Sequence, residues 1–192
     1  MIVLLVELQK HPCPKKIKSE FRVWKTLQPS PTVKNIDDYC RNIRAIQRIR
    51  FSEEAEDIIG KPDFRVPNHK IRLNLCIATV RELTGKQEAP LREIFKAIER
   101  VGRLCPNWVG PELRLQYKNQ PENESLTISM EPIIGSKGEL HLFYLDSDNR
   151  ELWLCTDSFD PNWDDPSSQY YCDGAYAGWY CSGKFVFVLH NK

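Results

Sequence analysis

The chain has 192 residues, 28 % of them charged and 41 % apolar, with 27 Lys or Arg against 26 Asp or Glu. That is enough length for one sizeable core and an ordinary globular balance, so collagen-like, low-complexity and wholly disordered chains are excluded. The near-neutral total conceals a split: residues 1–118 hold 23 Lys or Arg against 14 Asp or Glu, and residues 119–192 hold 4 against 12. Such a division fits a basic surface for nucleic acid, or two parts of one chain that attract each other.

Residues 1–8 read as an initial strand, because Glu7 interrupts their apolar run well short of a signal-peptide core or a membrane span. No membrane partner is therefore expected. The seven cysteines are odd in number and include no Cys-x-x-Cys pair, which fits reduced thiols in a cytoplasmic protein better than a disulfide framework. Pro12 and Pro14 make residues 11–16 a loop, and residues 21–27 form a second strand. Asn35 then caps a helix whose first turn carries Asp37 and Asp38, with Ile36, Tyr39, Ile43 and Ile46 on one stripe. Ser52 starts a short acidic helix that stops near Gly60.

Residues 68–84 fit two periods. Ile71, Leu73, Leu75 and Ile77 alternate as in a strand, while Leu73, Cys76, Ile77 and Val80 keep helical spacing between Asn68 and Gly85. Length favours the helix. Pro90 opens a helix over 91–104 with Leu91, Ile94, Phe95, Ile98 and Val101 on its apolar face. Residues 105–111 lead into what reads as a sheet. Leu113, Leu115 and Tyr117 alternate, as do Leu126, Ile128 and Met130, and together they predict a hairpin. Turns at 135–138 and 146–149 then set off strands at 140–145 and 152–156. Ser182-Gly183 joins 175–181 to 185–190, a register that pairs Tyr180 with Phe185, Gly178 with Phe187 and Tyr176 with Leu189, and turns Trp179, Cys181, Val186, Val188 and His190 to the other side.

The expected fold is a single α+β domain over 1–192. A basic strand-plus-helix part (1–111, helices within 36–105) packs on an acidic, aromatic-rich antiparallel meander (112–192, strands within 113–190). Residues 157–173 do not fit the meander. They carry Asp157, Asp160, Asp164 and Asp165 with Trp163, and loops of that length between strands are commonly functional.

The motif search removes more than it selects. Cys155, Cys172, Cys181 and His190 are metal-ligand types, but the hairpin register sets Cys181 and His190 roughly 20 Å apart at about 3.3 Å per residue, too far to share an ion. Asp146-Ser-Asp148 lacks the glycine and coordinating side chain of an EF-hand loop. Pro62-Asp63 is not followed by the Glu-x-Lys of a nuclease, and the glycine-loop and Gly-x-Ser-x-Gly signatures are missing. His141 has no selected nucleophile partner among the cysteines. No metal site and no cofactor is expected.

Three functions remain, in order. The first is a non-catalytic protein-binding module using Trp163, Trp179, Asp157, Asp160, Asp164 and Asp165. The second is a nucleic-acid binder. Residues 68–132 would form a winged-helix-like order with Arg92, Lys96, Arg100 and Arg103 outward on its recognition helix, and the helix at 36–50 would add Arg41, Arg44, Arg48 and Arg50. The third is a hydrolase-type enzyme with its site in the 157–173 loop.

Overall fold

The computed structural model describes residues 20–67, 71–159, 171–172, 175–176, 179–180 and 182–190; between 171 and 180 only the backbone is described. The element order is β1 (Lys25–Leu27), α1 (Ile36–Arg44), β2 (Ile49–Phe51), α2 (Glu53–Ile59), β3 (Leu73–Thr79), α3 (Val80–Thr84), β4 (Glu88–Ala89), α4 (Leu91–Glu99), β5 (Gly102–Arg103), α5 (Val109–Gln116), β6 (Ser125–Ile128), β7 (Ile133–Ile134), β8 (Leu140–Asp148), β9 (Glu151–Phe159), β10 (Tyr171–Cys172), β11 (Ala175–Tyr176), β12 (Trp179–Tyr180) and β13 (Lys184–Leu189). Helices and strands both occur, consistent with an α+β chain, but the expected division into a helical part at 36–105 and a sheet at 113–190 does not hold: β2, β3, β4 and β5 lie within the first range, and α5 runs into the second. The expected strand at 1–8 lies outside the described residues.

The sheet is not an antiparallel meander. Its strands run in the order β1-β3-β13-β6-β8-β9-β2, with β5 beside β13 and β7 beside β8. Two of its pairings, β13 with β6 and β2 with β9, are parallel. Within this sheet consecutive strands pair at β7–β8 and in the long β8–β9 hairpin, whose two-residue turn is Asn149-Arg150 with φ of 48° and 66°. Those left-handed angles belong to the hairpin turn that matches strand twist, so the strands run three residues further than a turn at 146–149 allows.

Three sequence expectations fail, each for a physical reason. Residues 113–116 are helical, not a strand, and α5 is buried nearly all round: Leu113 and Leu115 are covered, and so are Glu112 and Arg114. Alternation of apolar with polar residues there is not alternation of inside with outside. The helix predicted over 68–84 is instead strand β3, with a capping box at Thr79 opening the one-turn α3. β3 lies between β1 and β13, and Leu73, Leu75, Cys76 and Ala78 are all buried. Burial on both faces gives a strand a helix-like apolar pattern. The helix predicted over 91–104 stops at Glu99, since Gly102 enters the sheet so closely that a Cβ there would lie 2.2 Å from the Val188 carbonyl oxygen.

The C-terminal hairpin is also corrected. β12 pairs with β4, Trp179 opposite Ala89, while β13 takes β3, β6 and β5 as neighbours. Phe185 and Phe187 are fully buried, and Val186 and Val188 on the other side are buried as well. The side that the hairpin reading left for a partner is core at Val186 and Val188.

The predicted α1 and α2 both form. Asn35 and Asp38 make a reciprocal capping box, and Ser52 Oγ accepts the Ala55 N–H at 3.1 Å. On one face of the sheet, Phe143 meets Phe64 edge to face at 6.3 Å, and Phe64 meets Tyr39 of α1 at 6.0 Å. Gly110 of α5 lies against the same ring, a Cβ there being 2.8 Å from it. α5 itself is held by polar contacts in the core. Tyr39 Oη donates to Glu112 Oε2 at 3.1 Å, and Arg114 donates to Gln120 Oε1 at 2.6 Å and to the Tyr117 carbonyl.

Candidate functional site

The structure brings α2 against the β7–β8 turn, and a cleft of about 280 Å³ opens between them. The turn is tight, with Gly135 N–H donating to the Glu139 carbonyl at 2.8 Å and Gly138 in the left-handed region at φ 93°. Asp57 of α2 fastens it. Its carboxylate accepts the Ser136 N–H at 2.7 Å and the Ser136 hydroxyl at 2.6 Å, and the Lys61 ammonium lies 2.9 Å away. The Ser136 hydroxyl and Lys61 hold that carboxyl down at about 2. Lys61 also donates to Ser136 Oγ, so the serine is locked between an anion and a cation.

His141 of β8 lines the cleft and is 5 % exposed. Its Nδ1 lies 3.1 Å from Thr156 Oγ1, while Nε2 faces Gly135, where a Cβ would approach to 2.6 Å. Only glycine lets the turn close over the ring. Burial pushes the imidazole below its ordinary value, Glu139, Glu54 and Asp57 oppose that shift, and Lys137 adds to it. At neutral pH the ring is therefore uncharged and can accept or donate one hydrogen bond. Around it stand Glu53 and Glu54, both exposed, and the half-buried Glu139, none of them in an ion pair among the described residues. His141 and Thr156 are within reach for proton transfer, but among the described residues no carboxylate hydrogen-bonds the imidazole to orient it as a nucleophile–base pair requires.

Comparison with family models, with curated proteins and with solved structures finds no match to this chain. The geometry of its own side chains carries the functional argument.

Of the residues predicted to bind a partner, Asp157 is placed and the others are not. Trp163, Asp160, Asp164 and Asp165 lie outside the described residues, and for Trp179 only the backbone pairing is known. Asp157 is in β9, not in a loop. It shares a face of the β8–β9 hairpin with Tyr144, Asp146 and Cys155, opposite the face of His141. Burial, and then Asp146, push its carboxyl up to about 7. Burial also raises Cys155, to about 11, and Tyr144. A thiol so raised is not a nucleophile at neutral pH.

The basic candidates are mostly engaged. Arg41 pairs with Asp38 at 2.8 Å, Arg50 with Glu151 at 2.9 Å, Arg44 with Glu56, and Arg48 donates to the Arg150 carbonyl at 2.8 Å. The winged-helix order does not form, because 73–79 is strand and 109–116 is helix. Arg92 is half-buried on α4, while Lys96, Arg100 and Arg103 are exposed. Among the described residues no group of three or more His, Cys, Asp or Glu side chains is placed to hold a metal ion, and no helix is long and apolar enough to cross a membrane. Sequence reasoning read both α2 and the 135–138 turn but could not bring them together, since residues 57 and 136 meet only through the tertiary fold.

Proposed function

We propose that this chain is a non-catalytic, cytoplasmic protein-binding module, and that the cleft between α2 and the β7–β8 turn receives a lysine or arginine side chain of the partner. One observation carries the reading: Glu53, Glu54 and Glu139, free of ion pairs among the described residues, line one cleft together with the buried His141. The size supports a side chain over a metabolite, since about 280 Å³ falls below the roughly 300–1,000 Å³ of small-molecule pockets. A cation there gains from carboxylates that steer it and from a wall that partly excludes water. Free thiols at Cys40, Cys76, Cys105 and Cys155 suit a reducing compartment.

The test is fluorescence anisotropy with a labelled peptide carrying two lysines in an alanine–serine background, beside its acetyl-lysine and glutamate counterparts. Binding should follow the lysine charge and fall at least tenfold in a Glu54→Lys, Glu139→Lys double variant that keeps the parent circular dichroism. Equal binding of the acetylated peptide, or an unchanged affinity in the folded double variant, overturns the reading.

A further inference from the structure

A second concavity, of about 750 Å³, lies where the segment before β1 meets the ends of β5 and β13. Its construction follows from the sheet. Trp24 N–H donates to the Leu75 carbonyl at 2.8 Å, which fixes the start of β1 to β3, and His190 N–H reaches the Val101 carbonyl at 3.4 Å, which ties the end of β13 to the α4–β5 connection. Phe21 stands edge to face on Phe187 at 5.9 Å. Asn74 shares the side of β3 that holds Cys76, and Cys76 is opposite Phe187, so the groove is on the face of the sheet away from Phe143 and the acidic cleft.

The chemistry of this groove is the reverse of the cleft's. Apolar surface dominates its walls, contributed by Phe21, Val23, Val101 and Leu189, and Val23 is 48 % exposed, one of two large apolar side chains left so open among the described residues. Arg22, Arg100 and His190 line it, and Glu20 is the one acidic lining residue among the described residues. Neither Arg22 nor Arg100 is in an ion pair among the described residues. An exposed valine beside two uncompensated guanidinium groups is unfavourable to leave to water and suited to a ligand with an apolar body and an anionic head. The volume lies inside the range of small-molecule sites and is too large for one side chain.

We propose that this groove binds a small amphipathic anion, its carboxylate or phosphate held by Arg22 and Arg100 and its apolar body laid over Phe21, Val23 and Val101. Guanidinium forks suit both head groups, since each presents paired oxygens. The site is independent of the acidic cleft and stands or falls without it.

Isothermal titration of the full chain with decanoate, decyl phosphate, decanol and decyltrimethylammonium, each below its micelle concentration, tests the assignment. The two anions should bind at least tenfold more tightly than decanol, and the cation least. Arg22→Glu with Arg100→Glu should remove the anion preference, and Val23→Asp should weaken decanoate about tenfold. Both positions are exposed, so unfolding midpoints should stay near the parent's, and Arg22→Gln with Arg100→Gln gives the same readout if the reversed pair does not fold. The cleft variant Glu54→Lys should leave decanoate binding unchanged. Equal affinity for all four probes, no heat with any of them, retention of the anion preference in folded Arg22→Gln, Arg100→Gln protein, or binding to anionic vesicles but not to monomeric decanoate would each overturn the proposal.

Discussion

Replacing Asp157 by asparagine should stabilise the protein at neutral pH and do so less in acid. The carboxyl sits on β9 opposite Leu142, and burial together with Asp146 raises it from 3.8 to about 7. The sign follows from proton binding. Between those two values the folded chain holds a proton that the unfolded chain has released, so stability falls as pH rises through this window and levels off above about 7. At about 1.36 kcal/mol per pH unit, the two units from pH 5 to pH 7 are worth at most about 3 kcal/mol. Residual solvent access at Asp157, which is half-buried, brings the expectation to about 1–3 kcal/mol. Asparagine has the shape of the protonated acid and does not titrate, so urea unfolding of both proteins at pH 5 and pH 8 isolates the effect. The variant's advantage should be larger at pH 8 by that amount. A gap that is equal at the two pH values within about 0.5 kcal/mol, or one that shrinks at pH 8, would show that Asp157 titrates as an ordinary carboxylate and refute the reasoning.

Gly135→Ala places a Cβ 2.6 Å from His141 Nε2, so the ring or the turn must move. Urea unfolding should show a loss of about 1–3 kcal/mol, and the lysine peptide should bind more weakly, whereas full retention of both means the turn closes without touching the imidazole. Phe187→Ala removes a fully buried ring and should cost on the order of 3–5 kcal/mol by the same measurement, and a cost below about 1 kcal/mol would mean that Phe187 is not core.

Local signals were legible wherever the element could be specified by its own residues. The caps at Asn35 and Ser52, the apolar face of α4 and the β8–β9 hairpin all follow from neighbours in sequence. The misreadings share one cause, which is burial on more than one side. α5 hides Glu112 and Arg114 in the core, where Tyr39 and Gln116 donate to the carboxylate and Gln120 accepts from the guanidinium, so polar residues there carry no information about a solvent face. β3 and β13 are interior strands: the apolar run of β3 fits a helical period as well as its own, and that of β13 reads as a strand without revealing its neighbours. The cleft was illegible for a different reason. His141, Asp57 and Ser136 are each unremarkable in sequence, and their chemistry exists only once α2 and the β7–β8 turn are clamped together.

The charge split of the sequence is resolved by asking which charges the fold consumes. Some basic groups of the first 118 residues are spent on acceptors beyond that cut, Arg50 on Glu151 and Arg48 on the Arg150 carbonyl, and others on near neighbours, Arg41 on Asp38 and Arg44 on Glu56. Those pairs are exposed and contribute little to stability individually. Three of the four arginines at 41–50 thus face a carboxylate, while Arg48, among the described residues, meets only a neutral carbonyl and keeps its charge. Among the described residues Glu53, Glu54 and Glu139 have no ion-pair partner in one concavity, and Arg22 and Arg100 have none in another on the opposite face of the sheet. Carboxylates grouped in one hollow and guanidinium groups in another direct long-range attraction to those hollows, because field lines concentrate where low-dielectric walls surround the charge. Two ligands of opposite charge could then occupy the molecule together without competing, since each meets its counter-charges on a separate face.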